Sequence, residues 1–186
     1  PLMKRSDFLH TSAALVGSSL LPLDSSAENK KTGKIRFAYL TDIHIKPDAV
    51  AEAGMAKAFQ HVQSLKEKVD FIINGGDSIM DSLDADKQKT KTQWDLFHSI
   101  LKKENSLPVY HCIGNHDVWG WFIKNDRPEA DKLYGKQWVV ETLALPKRYY
   151  SFTKNKWHFI VLDSTQLNPA GGYIAYIDPE QLDWLQ

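Results

Sequence analysis

Residues 107–117 read "LPVYHCIGNHD", an apolar run that ends in a glycine, an amide, an imidazole and a carboxylate. A short apolar run bounded by proline and glycine marks a buried strand, and the residues that follow it bind and orient rather than pack. Two earlier segments close in the same way. "KIRFAYLTDIH" (34–44) carries Asp42 and His44 past a β-branched and aromatic run, and "VDFIINGGD" (69–77) ends on Asp77 after two glycines.

Helical periodicity fills the gaps between these strands. Met55, Phe59, Val62 and Leu65 recur on one face of residues 48–68, and Trp94, Phe97 and Leu101 on one face of residues 86–104. Strand, helix, strand, helix, strand predicts a parallel sheet with right-handed crossovers, an open α/β core. Ligands of such sheets bind at the carboxyl edge, where all three polar clusters fall.

After the third strand, residues 118–134 read as a long aromatic-bearing loop, and "DKLYGKQWVVETLAL" (131–145) as a helix ending before Pro146. "RYYSFT" and "WHFIVLDS" flank "KNK", a hairpin in which Asn155 takes the positive φ of a tight turn. In "DPEQLDWLQ" (178–186), Asp178 caps a helix, Pro179 takes its first position and Gln181 completes a capping box. A helix so short, with Leu182 and Leu185 set to pack, is marginal alone, so the chain is expected to be an incomplete domain.

The chain has 186 residues, with 23 acidic and 23 basic side chains and no block of like charge, which argues against a nucleic-acid surface. Its single cysteine, Cys112, excludes an internal disulfide or a cysteine-rich zinc site. Lys4 and Arg5 precede the apolar "AALVGSSLLPL", too short to span a bilayer, and small residues follow to Ala27. The expected organisation is an export signal (1–27), a linker (28–33) and one domain (34–186), with a periplasmic or extracellular location.

Within an extended chain, Asp42 and His44 point to the same side, with Ile43 and Ile45 opposite in apolar packing. A carboxylate beside an imidazole suits a divalent transition metal. The double glycine lets Asp77 approach a neighbouring group closely enough to bridge two metals, and the Asn115 amide oxygen coordinates without adding charge. His116 points toward substrate. Taken singly, each cluster is a commonplace cap or turn. His61 and His98 fall in helices, His111 and His158 in strands, and all four read as structural.

As an ordered set, Asp42-x-His44, Gly76-Asp77 and Gly114-Asn115-His116-Asp117 resemble the first three signatures of the calcineurin-like metallophosphoesterases. The resemblance runs from about Ile35 to the last residue. It implies the amino-terminal part of a four-layer αββα sandwich and two divalent ions, manganese, iron or zinc. By it, Asp42, His44 and Asp77 hold one ion, Asp77 and Asn115 the other, and His116 sits over the scissile phosphate oriented by Asp117. Asn115 and His116 are then also substrate contacts, and Trp119, with Trp121 and Phe122, is a candidate to stack on substrate. The family's later histidine and its Gly-His-x-His motif are not in this sequence, so the chain alone is expected to be inactive. The run "RYYSF...WHFIVLDS...QLDWL" is similar to the cyclic-nucleotide phosphodiesterase-like branch, which implies a small phosphodiester substrate. A phosphomonoesterase, a nucleotide pyrophosphatase and a non-catalytic phosphate- or partner-binding domain are the alternatives.

Overall fold

The three apolar runs form strands β1 (Phe37–Leu40), β2 (Phe71–Asn74) and β3 (Val109–His111), paired in parallel in that order. The computed structural model describes residues 33–124 and 128–186; the expected export signal, and the linker apart from Gly33, lie outside the described residues. Gly33–Gln186 form one compact unit. No helix among the described residues is long and apolar enough to cross a membrane.

Helix α1 (Ala49–Ser64) starts where the Asp48 carboxylate accepts the Val50 and Ala51 N–H groups, a cap worth about 1 kcal/mol. Helix α2 (Lys87–Glu104) starts in the same way, with Asp86 accepting the Lys89 N–H. Met55, Phe59, Val62, Trp94 and Phe97 are buried from these helices, and they share one core with Ile45, Ile72 and Ile79. Leu65 and Leu101, at the ends of the expected faces, are only half-buried.

Alternation along the strands splits the sheet into two apolar faces. Ala38, Leu40 and Ile72 join the helical core, while Phe37, Phe71 and Tyr110 meet a second layer, the antiparallel hairpin of β4 (Tyr150–Lys154) and β5 (Trp157–Val161). The Phe71 ring packs edge-on to Tyr110, Phe152 and Phe159 at 5.3–5.7 Å. Both turn residues of the hairpin, Asn155 and Lys156, have positive φ, as the two-residue turn that follows strand twist requires. A further small hairpin, β6 (Thr165–Leu167) with β7 (Tyr173–Ala175), was not expected from the sequence.

The helix expected over 131–145 is reduced to α3 (Gln137–Thr142). Asp131 spends its carboxylate on the Leu133 N–H, forming a turn. Gly135, at φ 66°, exchanges both backbone hydrogen bonds with Trp119 instead of continuing a helix. At the last helix, α4 (Pro179–Leu185), the Asp178 cap is present. The Gln181 side chain, however, does not close a capping box. It is fully buried and holds the Asp163 backbone, accepting its N–H and donating to its carbonyl, both at 2.8 Å.

Candidate metal centre

Past the ends of β1, β2 and β3, three loops meet. Asp42 and His44 are not on extended backbone, as alternation had predicted. Strand β1 stops at Leu40, and the two residues have φ of 55° and 48°, with Asp77 at 52°. Non-glycine residues enter this left-handed region only when surroundings hold them there. Here the loops are laced together: the N–H groups of Asp42, His44 and Ile45 donate to the carbonyls of Gly76, Asp77 and Ser78 at 3.0–3.1 Å. Ile45 is fully buried and Ile43 packs against the same core, so the apolar half of the expected pattern holds.

Two glycines set how closely the loops approach. A Cβ on Gly76 would lie 2.6 Å from the Gly114 nitrogen, and one on Gly114 would lie 2.1 Å from Asp77 Oδ1. That oxygen accepts the His116 N–H at 2.9 Å, so Asp77 ties the third motif to the second.

His44 Nε2 lies 3.8 Å from Asp42 Oδ1 and 3.9 Å from Asp77 Oδ2. Both separations exceed a hydrogen bond. Donors at about 2.0–2.2 Å from one ion stand up to roughly 4 Å apart, so the spacing and the nitrogen-and-oxygen donor set fit a divalent transition metal. One ligand atom each from His44, Asp77 and His116 falls within 4.8 Å of the others. Nδ1 of His44 is buried without a partner, which leaves the polar contacts of this imidazole on its Nε2 side. The Asp42 carboxylate is steadied by the Thr41 hydroxyl, which donates to it at 2.7 Å. Asn115 sits half-buried in the turn, its carbonyl accepting the Val118 N–H.

His116 stands edge-on to His44, ring centroids 4.7 Å apart. Its Nδ1 lies 2.5 Å from the Met80 carbonyl, which can only accept, so Nδ1 carries the proton and Nε2 is left for other chemistry. The Ser82 N–H and hydroxyl both donate to the His116 carbonyl, at 3.0 and 2.7 Å. Asp117 therefore does not have the expected role of orienting this ring. It is fully buried, and its carboxylate accepts the N–H groups of Ser78, Ile79 and Gly114 at 2.8–3.3 Å. Burial pushes the Asp117 carboxyl up to about 7 and the charge of Asp77 pushes the same way, while the three N–H donors oppose both.

Trp119 is not available to stack on a substrate. It is 5% exposed, donates its indole N–H to the Ala85 carbonyl and packs edge-on to Trp138 in the core. Trp121 is half-buried under the Lys136 ammonium, and Phe122 stays exposed beside Gly172. Asp163 is a structural hub, ion-paired with Lys136 and Arg148. Sequence reading missed the Met80 carbonyl and Ser82. A backbone carbonyl leaves no trace in residue identity, and a serine four positions from a second one carries no signal of its own.

Residues 35–186 match the family model described as calcineurin-like phosphoesterase. The match covers most of the chain, and the parallel sheet followed by an antiparallel strand pair agrees with the amino-terminal half of that fold. Three strand-end loops that gather a carboxylate and two imidazoles within ion-binding reach are what a metal-dependent hydrolase of phosphoester bonds requires, and the chain belongs to the calcineurin-like phosphoesterase family.

Proposed function

We propose that the protein hydrolyses a small phosphodiester of cyclic-nucleotide type, with two divalent ions held by Asp42, His44, Asp77 and Asn115. The convergence of His44, Asp77 and His116 on one spot, with Asp42 at 3.8 Å from the same imidazole, carries the metal reading. The resemblance of the 148–185 region to the cyclic-nucleotide branch supports the diester. When bound, the ions acidify coordinated water and offset charge on the phosphoryl oxygens.

The side chains divide the remaining work. With Nδ1 pinned to Met80, His116 keeps Nε2 for the leaving oxygen, to which it would pass a proton, a contribution of about 10² to 10⁴ in rate. Asp77 would hold metal with its carboxylate while it places His116 through Oδ1. Asp117 holds the backbone of both loops through the N–H groups of Ser78, Ile79 and Gly114.

The test uses the full-length gene product, supplied with Mn²⁺, Fe²⁺ or Zn²⁺ and assayed on bis-p-nitrophenyl phosphate and p-nitrophenyl phosphate. Faster turnover of the diester is expected. Preference for the monoester would overturn the substrate class, and inactivity with metal bound would favour a binding domain. Export is proposed on the charged and apolar pattern of residues 4–27. Sequencing the amino terminus of exported protein tests it, and an uncleaved start would sink it.

A further inference from the structure

Every loop of the metal centre leans on residues 75–78, and beside Asp117, which accepts the Ser78 N–H, a second buried side chain that braces those residues is Asn74. It is the last residue of β2, 2% exposed, and its backbone carbonyl already accepts the N–H of Cys112, just past β3. Its amide nitrogen donates to Ser78 Oγ at 2.8 Å and to His111 Nδ1 at 3.0 Å, and its amide oxygen accepts the Gly76 N–H at 3.3 Å. Both amide protons and the oxygen are thus committed, two of the three contacts bracketing Asp77. Ser78 is fully buried and His111 nearly so, so none of these partners can be replaced by water without rearrangement.

We propose that Asn74, anchored on His111, is a positioning residue of the metal centre: it holds the 75–78 loop in the shape from which Asp77 reaches both the ion and His116. An apolar side chain of similar size would fill the same space but leave the loop without its internal brace. The Asp77 backbone at φ 52° has no conformational preference of its own for that shape. Through the carbonyls of Gly76 and Asp77 and through Asp77 Oδ1, a relaxed loop also releases the N–H groups of Asp42, His44 and His116. Partners behind a metal ligand typically change metal affinity or activity by about 10- to 100-fold when removed. Because His111 Nδ1 is the acceptor, asparagine at 111, whose Oδ1 is bonded to Cγ as Nδ1 is, preserves the anchor, whereas leucine abolishes it.

The experiment pairs amide hydrogen exchange with Mn²⁺ titration on the wild type, Asn74→Leu, His111→Leu and His111→Asn. In both leucine variants the amides of Asp42, His44 and His116 are expected to exchange about 10- to 100-fold faster while those of α1 and α2 keep their rates. The Mn²⁺ dissociation constant is expected to rise about 10- to 100-fold, and His111→Asn to restore both readings to within about threefold of wild type. Unchanged exchange at the three amides overturns the brace, and changed exchange with unchanged Mn²⁺ affinity overturns its link to the metal. If Asn74→Leu does not fold, the two His111 variants decide between these outcomes. The affinity arm rests on the metal reading above. A wild type that binds no Mn²⁺ defeats that reading, and the exchange pattern then still decides the brace.

Discussion

Gly114 leaves the least room of any residue around the centre, because a methyl group there would overlap the Asp77 carboxylate. Gly114→Ala must therefore push Asp77 out of place. Mn²⁺ affinity by calorimetry is expected to fall at least about tenfold, with a stability loss of about 1–3 kcal/mol from overpacking. His111 offers a test in pH. Burial, and then the neighbouring His98, hold its imidazole down to about 4 against an ordinary 6.5. As pH falls below 6.5 the unfolded chain takes up this proton and the folded chain does not until about 4. Stability is thus lost across that window, by roughly 3 kcal/mol, and no further below it. Asp117, raised to about 7 when folded, takes its proton first in the folded state and works in the opposite sense over much of the same range. The difference in urea stability between wild type and His111→Gln cancels Asp117, and it should shrink from pH 7 to pH 4 if His111 is buried and neutral.

Elements are joined at Asp163, just past β5. Its carboxylate receives Lys136 from the start of α3 at 2.5 Å and Arg148 from ahead of β4 at 3.1 Å, and Arg148 continues to Asp178 and Glu180 at the start of α4. Asp163→Ala leaves Lys136, largely buried, without its carboxylate partner, while Arg148 keeps Asp178 and Glu180. A loss of about 3–5 kcal/mol in chemical denaturation is expected; a loss under 1 kcal/mol would show that solvent reaches the pair. The helices and strands themselves were legible because Asp48, Asp86 and Asp178 each cap where the apolar period starts. Helix α3 was misjudged because Asp131 and Gly135 serve partners that sequence does not display, a turn and the Trp119 backbone. Gln181 was misread for the same reason, its partner being Asp163, far along the chain.

Over the whole molecule, helices cover one face of the parallel sheet and the β4–β5 hairpin covers the other, with Phe71 at the centre of the second contact. Phe71→Ala should cost about 3–5 kcal/mol. It should also loosen the hairpin, read as faster amide exchange in β4 and β5 than in α2. Sequence by itself determined the alternation of β1, α1, β2, α2 and β3, the parallel core, the positive-φ hairpin and the membership of Asp42, His44, Asp77, Asn115 and His116 in one strand-edge cluster. Those features follow from local period, capping and the rule that parallel strands share a carboxyl edge. Only the tertiary structure decided that Asp42 and His44 meet through left-handed turns, that Met80 rather than Asp117 holds His116, and that Trp119 belongs to the core. Each of these depends on which backbone groups of distant loops come within hydrogen-bonding range, and residue identity along the chain carries no record of that distance.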